Sequence, residues 1–397
     1  MVVTVVGAGL AGLACALHLS DRGVEVALHE ASDAVGGRVR TDAVDGMLLD
    51  RGFQVHNTGY PEARRVLDHD TLALRPFAAG ALLRLGDRLH RVGDPSTLPT
   101  WALATALSPL GSAKDKVALV AFSARAALTP VDRLLAAPES SAYDALRARG
   151  LSDTAIDRFV RPFLSGVFLE DRLTTSSRFL DLVWRSFVRG TQCVPAAGMG
   201  AMPQQLADRL PEGVLRLQSR IEEVPTGITV VATDPATSAR ILDLPAPRMN
   251  GVVTHYHLAD SPPVAEAAIV LDAERSGPVA NTVVLTNATP SYAPGRVLVS
   301  SSVVSSRVGS GDASEPAVRA HLSRLYGVDT ASWQHVARYD VPAALPSMDP
   351  PRGRFRSPVR LSERVFVAGD WRDSASIQGA LTSGRRAAVA VLHELNG

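Results

Sequence analysis

Three glycines spaced G-x-G-x-x-G, Gly7, Gly9 and Gly12, follow the apolar run Val2 to Val6 and open a helical pattern that ends near Arg22 and Gly23. Directly after a strand and before a helix, this spacing suits a pyrophosphate. Gly7 permits a tight turn, Gly9 lets backbone approach the anion, Gly12 lets the helix lie close on the strand, and the helix N-terminus attracts negative charge. Glu30 closes the next apolar run, Val24 to His29, where a carboxylate accepts hydrogen bonds from an adenosine ribose. Just beyond it comes Gly36-Gly37-Arg38-Val39-Arg40-Thr41. The paired glycines let backbone pass a diphosphate while the guanidinium neutralises it through two directed hydrogen bonds. Nicotinamide enzymes do not need this second clamp.

The elements that must position these residues are a strand, turn and helix at each end of the chain. Strand Arg364 to Ala368, a Gly-Asp turn and a long helix repeat the opening logic at the C-terminal end. Both ends therefore feed one nucleotide-binding sheet, and the middle supplies a second domain by insertion. From Thr97 to Val188 the pattern is helical, including Val117 to Leu128 and Thr174 to Val188, the latter opened by Thr and Ser capping candidates. Leu215 to Val231 and Met249 to Val304 are rich in β-branched residues and read as sheet.

Composition excludes several classes. The chain has 397 residues, 41 basic and 40 acidic, for a net charge of +1, so no global field attracts nucleic acid or anionic lipid. Two cysteines, Cys15 and Cys193, make neither a disulfide framework nor a metal cluster, and a reducing cytoplasm is expected. Residues 1 to 20 lack the basic start of a secretory signal, and the uncharged run Pro95 to Ala113 is broken by Pro99 and Pro109, so neither a signal peptide nor a membrane span is expected. His255 and His257 share one face of an expected strand, but with no third ligand in sight no metal site is expected.

The opening G-x-G-x-x-G, the acidic Glu30 and Gly36-Gly37-Arg38 resemble the flavoprotein family that contains amine oxidases, phytoene desaturases and protoporphyrinogen oxidases. Val365 to Asp370, Ser376-Ile377-Gln378-Gly379-Ala380 and Ser383-Gly384-Arg385 extend the resemblance to the C-terminal end, and Pro195 to Pro203 and Leu217 to Val224 carry it through the middle. It implies an α/β fold: a Rossmann-type FAD-binding domain (1–75, 190–248 and 340–397) with an inserted α+β substrate domain of antiparallel sheet plus helical cap (76–189 and 249–339). It implies non-covalent FAD, since the last cysteine is Cys193. The implied cofactor site comprises Gly7, Gly9, Leu10, Ala11, Gly12, Glu30, Ala31, Gly36, Gly37, Arg38, Gly52, Phe53, Gln54, Ile221, Gly369, Asp370, Ser376, Ile377 and Ala380. In this resemblance Asp370 meets the ribityl chain or phosphate, backbone near Ile377 meets the pyrimidine edge of the flavin, and Ile221 lies in the strand that meets the adenine.

Asp50 to Pro61 is most similar to plant-type carotenoid desaturases and squalene-pathway flavoproteins, with Gln54 where those have His. Amine oxidases of the family use an aromatic cage and a lysine near the flavin. Here Ile377 and Gln378 occupy the cage tyrosine's place, and the only lysines are Lys114 and Lys116. The expectation is hydride removal from a C–H bond of a largely apolar, isoprenoid-like small molecule, with His56, Arg161 and Asp373 as candidate proton acceptors. Amine oxidation and flavin-dependent isomerisation are the alternatives, followed by a flavin-free prenyl-binding escort. The aromatics of Arg161 to Phe168, with Phe179, Trp184 and Phe187, are expected in the helical core or facing substrate. The amphipathic stretches from Trp101 to Leu128 are expected to pack in the core or to touch a membrane peripherally.

Overall fold

The runs Val3–Val6 and Val26–His29 are short and almost wholly apolar, as strands covered on both faces must be. In the computed structural model, which describes residues 2–93, 97–306 and 313–396, they lie in a five-stranded parallel sheet. Its order is Leu215–Arg216, Val26–His29, Val3–Val6, Thr229–Val231, Val365–Val367, so the first, middle and last parts of the chain share one sheet. Helix Leu10–Ser20 and the terminal helix Ile377–Asn396 pack together beside it. At Gly384 the contact is so close that a Cβ would lie 2.1 Å from the Ala11 carbonyl oxygen.

The stretch around Ile221 departs from expectation. Only Leu215–Arg216 pairs, and Leu217 to Gly227 is irregular. Gln218 takes a left-handed φ of +52° and its amide, with that of Ser219, turns back to the carbonyls of Ser32 and Glu30 at 2.9 and 2.8 Å. That turn ends the strand before Ile221.

A second sheet of seven strands runs in the order Gln334–Pro346, Met249–Ala259, Val297–Val304, Val279–Val284, Ile269–Asp272, Gly80–Leu85, Arg88–Gly93. It is antiparallel except where Ile269–Asp272 meets Gly80–Leu85. A parallel pair needs a long crossover, and the helical segment is spliced between these two strands. The domain boundary expected at 339/340 falls inside Gln334–Pro346, whose residues up to Pro346 pair with Met249–Ala259. Cutting there would split one β-ladder.

The helical segment contains Ala102–Leu107, Ala113–Leu128, Val131–Ala136, Ala142–Ala148, Arg161–Phe168 and Ser177–Arg189. Ser112 and Asp115 form a reciprocal capping box on the second, and Ser176 caps the last. Of the uncharged run from Pro95, residues 95 and 96 lie outside the described residues, and the remainder is broken at Ser108. Among the described residues, no helix is long and apolar enough to cross a membrane.

Candidate functional site

Left-handed backbone at Gly7 (φ +101°) turns the chain after the first strand, and a Cβ there would meet the Ala232 carbonyl oxygen at 2.8 Å. A Cβ on Gly12 would lie 1.8 Å from the Gly7 oxygen, so helix Leu10–Ser20 rests directly on the turn. Gly9 differs from both: nothing lies within 4 Å of where its Cβ would be. It lines a cavity of about 1710 Å³. The helix that begins after Gly9 has no side-chain cap and no acidic residue in its first turn, which leaves its first amides and its positive end to an anion.

Glu30 is fixed beside this turn. Its Oε2 accepts from the Ala8 amide at 2.8 Å, and its Oε1 from the Ser32 amide and hydroxyl at 2.9 and 2.6 Å. Gly36 bridges to Gly9 in parallel fashion, donating its amide to Ala8 O at 2.9 Å. Arg38 then ties three distant segments together. Its Nη1 donates to Ala344 O at 2.7 Å and its Nη2 to Asp370 Oδ1 at 2.6 Å. Gln54 Nε2 donates to Arg38 O at 2.8 Å. At the C-terminal end, Gly369 donates its amide to Ser383 Oγ and Ser376 Oγ accepts from the Gly379 amide, both at 3.0 Å, fixing the start of the helix that opens at Ile377.

The structure brings the whole expected cofactor set to one cavity wall, Gly12 excepted. Gly12 is spent on packing beneath the turn.

The same cavity continues between the second sheet and the helices. Phe53, Phe77, Phe159, Phe163, Val167, Phe187 and Ile269 line it there, and none of Phe77, Phe159 or Ile269 was singled out by the sequence. A π-helical turn, Ile156–Val160, precedes helix Arg161–Phe168, and Phe159 and Phe163 stack across the junction with centroids 6.1 Å apart. Such turns shift the face a helix presents. Phe168 belongs to the helical core, whereas Phe179 and Trp184 are buried and also reach the cavity wall.

Two of the three candidate proton acceptors lie elsewhere. His56 is buried in a short strand with its Nε2 3.1 Å from His69 Nε2, and burial followed by the charge of His69 lowers its pKa to about 4. Arg161 is held by Asp157 Oδ1 and Asp171 O at 2.8 and 2.9 Å. Neither lines the cavity. Asp373 does, but its carboxylate is paired with Arg356 and Arg386, both at 3.2 Å. Burial raises its pKa and the two arginines oppose the shift. Lys116 reaches the helical end of the cavity with its amine donating to Ser108 O at 3.0 Å and to Ala106 O. Among the described residues Tyr60 is the only tyrosine on the wall, and burial pushes its pKa up to about 12. His255 and His257 are buried on the far face of the second sheet, bonded to His335, Ala313 O and Glu315. No group of three or more metal-ligating side chains is assembled among the described residues.

The sequence profile of the flavin containing amine oxidoreductases matches residues 10–242 and 230–392. The chain belongs to that family. Protoporphyrinogen oxidase 2 of Arabidopsis thaliana is 30% identical over 184 residues, 45% of this chain and 35% of its own length. Hydroxysqualene dehydroxylase of Rhodopseudomonas palustris is 26% identical over 449 aligned positions, 98% of each chain. Cyclohexylamine oxidase of Brevibacterium oxydans shares the fold, with a TM-score of 0.71 at 16% identity, covering 100% of this chain and 99% of that one. The cofactor of this flavin oxidoreductase is FAD, and the residues fit it. Gly9 leaves open space in front of uncapped helix amides, where a side chain would stand in a pyrophosphate's way. Both cysteines are buried away from the wall, so neither offers the flavin a thioether link.

Proposed function

We propose that this flavoprotein removes a hydride from a C–H bond of a largely apolar, isoprenoid-like molecule, in the manner of a desaturase or dehydrogenase. The observation that carries this reading is the phenylalanine-lined part of the cavity, continuous with the cofactor cleft. In the proposed arrangement the pyrophosphate lies at Gly7 to Ala11 and Arg38, the adenosine between Glu30 and Ile221, and the flavin between Phe53, Gln54 and the start of the terminal helix. The cofactor half is 2–76, 190–248 and 347–396, and the substrate half is 77–189 and 249–346, so that neither the ladder of Leu74–Pro76 with Gln192–Pro195 nor that of Gln334–Pro346 with Met249–Ala259 is cut.

Bound FAD supplies the hydride acceptor. The chain's own part is to orient the C–H bond and exclude water with its aromatic wall. A proton then leaves the neighbouring carbon to a base or to a single water admitted to the chamber, giving a double bond; Asp373, the candidate acceptor on the wall, is paired with two arginines.

An ammonium substrate would need an unpaired carboxylate or a tyrosine cage. Asp370 and Asp373 are paired with arginines, and among the described residues Tyr60 stands on the wall without a second tyrosine. The names of the hydroxysqualene dehydroxylase and of a carotenoid phi-ring synthase from Streptomyces griseus, 37% identical over 144 residues, also favour isoprenoids. The decisive experiment is anaerobic mixing of the yellow holoprotein with hydroxysqualene, phytoene and putrescine. Bleaching by an isoprenoid is expected. Bleaching by the amine alone would overturn the reading, and turnover of an isoprenoid only after prior reduction of the flavin would make the enzyme an isomerase.

Substrate delivery fits a peripheral lipid contact. Leu103 and Leu107 are 71% and 76% exposed, and Val120 is 69% exposed while also lining the cavity. Exposed aliphatic side chains on these helices, one of them, Val120, on the cavity wall, suit an acyl-chain surface. Co-sedimentation with phosphatidylcholine vesicles should be lost in the double variant Leu103→Ser, Leu107→Ser.

A further inference from the structure

One side chain is out of keeping with the apolar chamber. Strand Val279–Val284 is buried throughout, and along it only Asn281 carries an amide. Thr282, next along the strand, points the opposite way, its hydroxyl meeting Ser300 O and Tyr326. Asn281 therefore faces inward, where it lines the cavity at 7% exposure. Among the described residues its side chain has no hydrogen-bond partner. Polar groups on the helical wall are in a different position: Ser123 accepts from Trp184 Nε1 at 3.0 Å, and Arg185 donates to the carbonyls of Ala126, Ala127 and Thr129.

The room for this amide is built. Facing it is Gly166, inside helix Arg161–Phe168, and a Cβ at that position would meet Asn281 Nδ2 at 2.1 Å. Glycine in a helix interior weakens the helix, so the fold gives up helix stability where the amide sits. A buried amide with no protein partner must find one in whatever fills the cavity, and a ligand that fails to supply it leaves the amide desolvated and unpaired.

We propose that Asn281 is a specificity residue that hydrogen-bonds a single oxygen function, a hydroxyl or carbonyl, on an otherwise apolar substrate. This rests on the apolar-substrate reading above and narrows it: the preferred substrate is an oxygenated isoprenoid and the pure hydrocarbon is discriminated against. Sites built to hydrogen-bond a substrate hydroxyl reject the analogue lacking it far more strongly than apolar pockets reject a missing methylene.

The test uses the holoprotein and two matched probes, geranylgeraniol and the hydrocarbon of the same skeleton, titrated while the bound-flavin absorbance spectrum reports binding. The wild type is expected to bind the alcohol at least about tenfold more tightly. Asn281→Leu and Asn281→Val should each abolish that preference by weakening the alcohol alone. Val matches the strand's own residues at 279 and 283, so one folded variant suffices. Equal binding of the two probes to the wild type, or a preference that survives in the variants, overturns the inference and leaves the apolar-substrate reading standing. Binding of neither probe to the wild type overturns that reading and the inference with it.

Discussion

The two ends of the cavity are made in different ways. At the cofactor end the wall is largely backbone: Gly7, Gly9, Gly36, Gly37 and Gly369 bring amides and carbonyls to the surface, and the side chains that join in, Glu30, Arg38 and Asp370, are held by named hydrogen bonds. At the substrate end the wall is side chains drawn from helices and from several strands of the second sheet. A backbone-made wall admits few alternatives, because a Cβ in the wrong place meets atoms that cannot move. A wall of packed side chains can be repacked at modest cost.

The largest expected effect breaks the cofactor end. Gly12→Ala places a methyl 1.8 Å from the Gly7 oxygen, which a helix pressed on its own turn cannot relieve without moving. It should cost about 3 kcal/mol or more, and the variant should be recovered colourless or aggregated. Gly9→Ala is the counterpart, since its methyl meets only open cavity. The apoprotein should melt as the wild type does while binding FAD about tenfold or more weakly. If calorimetry and flavin titration find the two variants alike, the distinction between packing glycines and anion-facing glycines fails.

This contrast also explains what the sequence could reveal. Gly7 and Gly12 are legible because close approach leaves glycine as the only residue that fits, Gly9 because it faces the open cleft, and fixed spacing then marks the turn. Both ends of the chain showed the strand-turn-helix order for the same reason. Ile221 was expected in a strand, but strand and turn compete in Leu217 to Gly227 through hydrogen bonds to Ser32 and Glu30, nearly two hundred positions away in sequence. Strand Gln334–Pro346 alternates without a strong apolar face, so its continuation through 340 was hidden until its pairing with Met249–Ala259 was seen. His56 and Arg161 sit in segments that do approach the site, yet their side chains turn to His69 and to Asp157. Phe159 and Asn281 carry no local signal at all: one depends on a π-helical turn, the other on a glycine in a different element.

A smaller effect sharpens the comparison at the seam between the halves. Asp50 accepts from Thr41 Oγ1 at 2.5 Å and the Met199 amide at 2.9 Å, and from Tyr292 of the substrate half at 2.8 Å, while its carbonyl accepts from Tyr256 at 2.8 Å. Burial outweighs these donors and raises the carboxyl from 3.8 to about 6. The folded protein thus holds this proton more tightly than the unfolded chain. Its contribution is present below the unfolded value and is lost as pH rises through about 6. Asp50→Asn removes that dependence. Denaturation across this window should show the wild type losing about 3 kcal/mol relative to the variant. A difference that stays flat with pH would mean the seam is wet and the two halves are less tightly joined than the tyrosine contacts imply.

The smallest effect belongs to the substrate end. Phe163 is half-buried, contacts Phe159, Trp184 and Phe187, and lines the chamber. Phe163→Ala removes a ring that its neighbours can partly replace, so FAD content should be unchanged. For the isoprenoid that bleaches the flavin, KM should rise about tenfold, the equivalent of about 1.4 kcal/mol of lost apolar contact, with the rate of flavin reduction at saturation altered much less. That split follows from a wall that binds substrate and transition state alike. A collapse of the reduction rate with KM unchanged would place Phe163 in the alignment of the reacting C–H bond, and the substrate end would then be as exacting in its geometry as the cofactor end.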